Sequence, residues 1–132
     1  MKFKLLLTTV GATLILLLLT SAVGAQGEPP SPYAGQKPPF PWSDASAQQA
    51  GKGLYQQSCL GCHGIKGDNL AVADFSAADY PQHLEEKPDF YFWVLSEGRM
   101  NKGMPSYKSS LATEQRWQVL TYLWSLGAVP TA

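Results

Sequence analysis

The sequence predicts an all-α domain, and three stretches carry that prediction. Ser46-Ala47-Gln48-Gln49 has the form of a capping box, and Ala47, Ala50, Gly51, Leu54 and Tyr55 recur at helical spacing from there into Cys59. Pro88 to Glu97 opens on a proline suited to the first helical position, and Gly98 suits the position after the last turn. Trp117, Leu120, Leu123, Trp124 and Leu126 lay a wide apolar stripe on a terminal segment, with Val119 and Tyr122 beside it.

Between the first two stretches stands Cys59-Leu60-Gly61-Cys62-His63, the attachment pattern of a c-type haem. The spacing has a mechanical reason. Each thiol can add to one haem vinyl group, and cysteines three apart lie about one helical turn apart, so a single turn presents both. The adjacent His63 then reaches the iron as proximal ligand. Two other readings of the pair are weaker. A thioredoxin-like redox pair asks for a preceding strand within a βαβ unit. A tetrahedral zinc site asks for four ligands, and beyond these three the chain offers one other histidine and no other cysteine. The expectation is three to four helices wrapped around one covalent haem c, tethered by Cys59 and Cys62.

Size and charge bound the rest. The chain has 132 residues, one small domain with extras, and zero formal net charge, which leaves no electrostatic footprint for nucleic acid. Both cysteines belong to the motif, so no disulfide framework remains. A domain this small buries a modest core of its own. A porphyrin supplies an apolar centre, and the four Trp, six Tyr and five Phe are expected to pack round it.

Residues 1–25 have the form of a signal peptide. Lys2 and Lys4 make a basic start, Leu5 to Leu7 and Leu14 to Leu19 are apolar, and Val23-Gly24-Ala25 ends the run with small residues, favouring cleavage after Ala25. The alternative is an uncleaved membrane anchor, because Leu5 to Val23 is 19 residues without a charge, just long enough to span a bilayer. The interrupting threonines and Gly11 favour cleavage. No cysteine stands near residue 25 to carry a lipid. Either way the remainder is expected on the outer face of a membrane, in a periplasm or equivalent lumen. Without Lys2 and Lys4 it holds eight basic and ten acidic side chains, a net charge of about −2.

Residues 26–42 are expected to be a Pro-rich linker. Six prolines between Glu28 and Trp42 exclude a helix or a central strand and imply an extended, semi-rigid segment. With cleavage it reads as an ordinary N-terminal extension. Without cleavage it reads as a spacer off the membrane, or as a strap docking on a partner through Tyr33, Phe40 and Trp42.

The folded domain is expected over 43–132. Gly51 costs the first helix about 1 kcal/mol against alanine, a cost that close approach of another helix explains and that an exposed face would merely tolerate. Gly64 to Glu86 reads as loop, with Phe75 and Tyr80 placed to pack on the haem edge. His83, flanked by Gln82, Glu85 and Glu86, reads as solvated in preference to a rival ligand. The run from Phe90 to Leu95 has β propensity, but the helical spacing of Phe90, Trp93, Val94 and Glu97 favours a helix. Trp93 is either a donor to a haem propionate or plain core. In Gly98 to Tyr107 two methionines compete. Met104 stands between Gly103, which lets the chain turn, and Pro105, which stiffens the exit; Met100 lacks such punctuation. Met104 is the favoured distal iron ligand. Thr113 is the expected N-cap of the last helix, Glu114 suits its first turn, Gly127 is the expected end, and Pro130 follows as a stop.

Residues 46–127 resemble a class I monohaem cytochrome c. The features that carry the resemblance are Gly51 and Tyr55 ahead of Cys59-Leu60-Gly61-Cys62-His63-Gly64; Asp74-Phe75-Ser76; the aromatic segment ending in Gly98; Gly103-Met104-Pro105; and Arg116-Trp117 with Tyr122-Leu123. The resemblance implies that the first and last helices cross at Gly51 and Tyr122. It also implies a backbone carbonyl accepting the second N–H of His63, often from a proline. No proline here fits that role, and Val72 or Ala73 stands near it. With His63 and Met104 as ligands the iron has no open position. This implies a one-electron carrier, not an enzyme, shuttling between redox partners. Lys66, Arg99, Lys102 and Lys108 either form a basic rim steering it to an acidic partner or belong to a mixed solvated surface. The alternatives are an integral haem subunit of a larger membrane complex and, at some distance, a haem-based ligand sensor.

Overall fold

A computed structural model describes residues 27–69 and 74–128 of the chain. The segment 1–25, Val72, Ala73 and Pro130 lie outside the described residues, and with them the signal or anchor, the candidate acceptor for His63 and the terminal stop. Among the described residues the fold is all-helical: α1 (Ala45–Ser58), α2 (Leu60–His63), α3 (Tyr80–Glu86), α4 (Pro88–Glu97), a 3₁₀ turn (Met100–Lys102) and α5 (Thr113–Ala128). None of these helices is long and apolar enough to cross a membrane.

The central element is α5, on which α1, α3 and α4 all pack. Trp117, Val119, Leu120, Thr121, Tyr122 and Leu123 are all buried, so the helix is enclosed on most of its circumference, as its broad apolar stripe requires. It begins at Thr113 itself, where a cap was expected. The Ala112 N–H one residue earlier donates to Gln115 Oε1 at 2.8 Å. Gly127 does not end it either. The helix runs on to Ala128, and a Cβ on Gly127 would stand 2.4 Å from the Ala77 carbonyl oxygen and 2.7 Å from Pro81 Cδ. Glycine is there to admit the chain around α3.

The start of α1 also differs from the capping-box expectation. Asp44 is the N-cap, its Oδ1 accepting the Ala47 N–H at 2.7 Å, and Ser46 lies inside the first turn. Aspartate and serine cap about equally well, and the carboxylate adds a favourable charge at the positive end of the helix while lengthening α1 by two residues relative to a Ser46 cap. The helix then crosses α5 where Gly51 meets Tyr122. A Cβ on Gly51 would lie 1.9 Å from the Gln118 carbonyl oxygen and 3.0 Å from Tyr122 Cβ. Backbone touches backbone there, which is the reason for the glycine.

Part of the expected 64–86 loop is helical. Pro81 falls in the first turn of α3, where a missing N–H costs nothing, and Tyr80 and Leu84 at i,i+4 turn inward. The expectation of helix for 88–97 agrees with α4, which closes on Gly98 at φ 73°.

The Pro-rich segment is neither extended throughout, as expected, nor a free spacer: residues 31–35 form turns, with the Tyr33 and Ala34 N–H groups donating to the Pro30 carbonyl at 2.8 and 3.2 Å. Tyr33 is 5% exposed and its ring tilts against Phe92 at 6.1 Å; Phe92 stacks on Trp117 at 4.2 Å and 8°. The Gly35 N–H donates to Asp89 Oδ2 at 2.8 Å in the first turn of α4, and the Tyr33 hydroxyl donates to Glu97 in its last turn. Phe40 and Trp42 pack on the same core. Three aromatics that no linker needs have been drawn onto the chain's own domain by their apolar area. Arg116 completes the Tyr33–Phe92–Trp117 cluster. It is 6% exposed, lies 4.7 Å over the Phe92 ring, donates to Ser96 Oγ and to Thr113 Oγ1, and leaves Nε without a partner among the described residues.

This packing is open to measurement. Gly51→Ala is expected to lower the urea midpoint by the equivalent of about 3 kcal/mol, since backbone must move to admit the methyl. Gly53→Ala, two residues away with nothing within 4 Å of the added Cβ, is expected to raise it by up to about 1 kcal/mol. The Tyr33 hydroxyl, then the Lys108 ammonium, hold the Glu97 carboxyl below the usual carboxylate range, and Glu97 raises Lys108 in return. The carboxyl's contribution is complete above its unfolded value near about 4.3 and is lost as pH falls through the lower folded value. Glu97→Gln should therefore destabilise more at about pH 7 than at about pH 3. Equal losses in urea titrations at both would remove the pairing.

Candidate haem-binding site

A cavity of about 690 Å³ opens between α2, α4, α5 and the 99–107 loop. Its wall carries Cys59, Cys62, His63 and Met104 together with Tyr55, Phe75, Tyr80, Tyr91, Leu95, Tyr107, Leu120 and Leu123. The volume lies within the roughly 300–1,000 Å³ of ligand pockets, and the lining is mostly apolar and aromatic.

One turn of chain presents three of the four chemical groups. The Cys62 N–H donates to the Cys59 carbonyl at 3.2 Å and the His63 N–H to the same oxygen at 2.9 Å, so the thiols and the imidazole sit on a single helical turn at the end of α1. Cys59 is buried and Cys62 exposed, and both are free thiols. Burial pushes the Cys59 thiol up to about 11, with the neighbouring Tyr107 hydroxyl offsetting part of the rise. Burial holds the His63 imidazole below its usual range, in the neutral form that ligates metals. Its Nδ1 is buried without a hydrogen-bond partner among the described residues.

The turn is pinned on its far side. Gly64 takes φ 78°, and a Cβ there would meet Asp68 Oδ1 at 2.8 Å. The Tyr55 hydroxyl donates to the Gly64 carbonyl at 2.7 Å in a buried bond, and the Asn69 N–H closes on the His63 carbonyl at 3.1 Å. Phe75 lies 5.2 Å from the His63 ring and 5.1 Å from Tyr80, which meets Tyr91 at 5.8 Å. This aromatic belt buries Tyr55 and Tyr80 deeply enough to raise both phenols.

Met104 reaches the cavity by a different device. The chain reverses through the 3₁₀ turn and Gly103 at φ 79°, and Arg99 and Met104 exchange backbone hydrogen bonds of 2.9 and 3.1 Å. A Cβ on Gly98 would strike the Pro105 carbonyl carbon at 2.5 Å, so both glycines serve the reversal. Met104 lines the cavity; Met100 is 74% exposed and does not. His83 lies on α3, exposed beside Asp79 and away from this wall. Trp93 packs on Phe90 at 6.1 Å and does not line the cavity. Arg99 and Lys102 do, whereas Lys66 does not and Lys108 is occupied by Glu97. Tyr107 donates to the Ser58 carbonyl at 2.9 Å beside Cys59. Its role was not apparent in the sequence, where an aromatic three residues past the methionine is the only signal.

Two thiols, a neutral imidazole and a thioether around an apolar cavity fit a covalent haem. Among the described residues no group of three or more His, Cys, Asp or Glu side chains is gathered for a bare metal ion. An all-helical shell round such a wall is the architecture of the c-type cytochrome domains, whose cofactor is covalently bound haem c. Residues 46–123 match the family described as "Cytochrome C oxidase, cbb3-type, subunit III", and the chain belongs to that family of cytochrome c domains.

Relatives place it more widely. The chain is 34% identical over 87 residues to the quinohemoprotein alcohol dehydrogenase ADH-IIG of Pseudomonas putida, a match covering 66% of this chain and 12% of the relative. With ADH IIB of the same organism it is 31% identical over 105 residues, covering 76% of this chain and 15% of the relative. It thus spans a small fraction of the length of these relatives. In fold it is similar to cytochrome cL of Methylophaga aminisulfidivorans, at a TM-score of 0.53 and 20% identity over 64% of this chain and 55% of that one.

Tethering of haem through Cys59 and Cys62 is open to a chemical test. Haem should stay with the chain through acid–organic extraction in the wild type and in Cys62→Ala, and leave it in the Cys59→Ala/Cys62→Ala variant. Extraction of haem from the wild-type chain would contradict the tethering.

Proposed function

We propose that the chain is a one-electron carrier in which Cys59 and Cys62 would tether haem c and His63 and Met104 would ligate its iron. The observation that supports this reading most is the gathering of both thiols, the imidazole and the thioether sulfur on one apolar cavity wall. Bound haem c supplies a ferrous/ferric couple that passes single electrons. The chain's own residues do the rest. The one-turn pinning of His63 fixes the imidazole from below, the reversal at Gly103 delivers Met104, and the aromatic belt excludes water. A soft, uncharged sulfur and an apolar wall favour the less charged ferrous state, so the potential is set high for a haem. Held by His63 and Met104, the iron would have no place left for a substrate, which supports reading the chain as a carrier and not an enzyme. It works on the outer face of the membrane, between a donor and an acceptor protein.

The relatives suggest the donor's class. In the quinohemoprotein alcohol dehydrogenases a segment like this one is part of a much longer chain. By that likeness the donor would be a dehydrogenase that passes single electrons to this haem domain. A second reading is favoured by the family's description: a resident haem subunit of a membrane oxidase. Gel filtration of membranes solubilised in mild detergent separates the two, since a resident subunit travels with its complex and a carrier travels alone.

The ligand assignment has a direct test. Met104→Ala in the holoprotein should abolish the sulfur-to-iron charge-transfer band of the ferric form, lower the potential and open the ferrous form to carbon monoxide. Retention of the band would exclude Met104.

A further inference from the structure

The loop that carries Met104 is held at both ends. At its base Arg99 and Met104 are paired backbone to backbone. At its exit three groups return to the last turn of α4: Ser106 Oγ donates to the Ser96 carbonyl at 2.6 Å, the Tyr107 N–H to the Leu95 carbonyl at 3.3 Å, and the Lys108 N–H to the Ser96 carbonyl at 3.0 Å. The Lys108 ammonium then reaches Glu97 at 2.9 Å. That ion pair is largely exposed, with side chains 57% and 40% accessible, and an exposed pair alone contributes little.

What makes it firmer comes from 64 residues upstream. The Tyr33 hydroxyl donates to the same Glu97 oxygen that Lys108 holds, and the Lys108 ammonium lies 5.7 Å over the Tyr33 ring. The ring is immobilised on Phe92, itself stacked on Trp117. Tyr33 thus offers a rigid, buried fixture to two side chains that would otherwise sample many rotamers. No part of Tyr33 lines the haem cavity.

We propose that Tyr33 is a positioning residue for the upper iron ligand: through Glu97 and Lys108 it fixes the loop that presents Met104. The Pro-rich segment is then part of the electron-transfer apparatus. Its backbone turns over residues 31–35 and, held at Gly35 by Asp89, delivers the Tyr33 hydroxyl to the last turn of α4, from which the Met104 loop hangs. The proposal rests on Met104 being the ligand.

The test uses the full-chain ferric holoprotein, with imidazole as a probe that competes with the methionine sulfur. Tyr33→Phe keeps the ring and removes the hydroxyl. It should raise the imidazole association constant by about threefold to tenfold, the scale of one lost hydrogen bond expressed as loop opening. Glu97→Gln should act in the same direction, and the double variant should show less than the product of the two effects, because they break one chain of contacts. Met104→Ala is run alongside. If it leaves the charge-transfer band in place, the ligand reading fails and takes the proposal with it. If it abolishes the band while Tyr33→Phe binds imidazole like the wild type, Tyr33 positions nothing and the proposal alone is overturned. A Tyr33→Phe protein that melts earlier with unchanged imidazole affinity overturns it equally, since a purely structural tyrosine would do that.

Discussion

The crossing of α1 and α5 at Gly51 and Tyr122 is the contact on which the rest of the domain depends. α1 feeds straight into Cys59, so the point at which it rests on α5 sets where the turn bearing Cys59, Cys62 and His63 lies. α5 supplies Val119, Leu120 and Leu123 to the facing wall of the cavity. A crossing one side chain wider would pull the two walls apart. Glycine at this position converts a packing detail into the separation of a thiol-bearing turn from the apolar surface opposite it.

The domain has two centres that share α4 and α5. One is the cavity, lined by Tyr91, Val94 and Leu95 from α4. The other is the Tyr33–Phe92–Trp117–Arg116 cluster on the reverse side of the same helices. The first is shaped for a prosthetic group, whereas the second is completed by the chain itself. Arg116 shows how. Among the described residues no carboxylate pairs with it, and it is accommodated by an aromatic face and two hydroxyls, an arrangement that costs less than an unpaired charge in hydrocarbon. Filling this side with side chains leaves the other side free to be filled by a porphyrin.

Much of this was legible in the sequence. Cys59, Cys62 and His63 are marked out by spacing and Met104 by its flanking glycine and proline, and the fold brings all four to one cavity wall. Apolar periodicity places helices from 46 into 59, over 88–97 and from 113 to 127, close to those observed, though the caps at both outer helices differ. What escaped was tertiary. Pro81 reads as loop punctuation, yet a proline in a first helical turn is welcome, and α3 formed around it. Gly127 reads as a terminator, although its role is to admit the Ala77 backbone, which no local pattern records. Asp44 and Ser46 are both competent caps, and only the fold selects between them. Above all, proline content describes how a segment is shaped, not where it goes. Tyr33, Phe40 and Trp42 look like candidates for docking on another protein, when the surface they fit is their own.

That surface changes what counts as the domain. The matched family region begins at residue 46, yet a tyrosine of the core lies thirteen positions before it. A gene fragment cut at the homology boundary would encode a haem protein with a hole in its rear face. Transplanting the module onto an enzyme, or trimming it for expression, means carrying the proline stretch along as cargo that is inseparable from its vehicle.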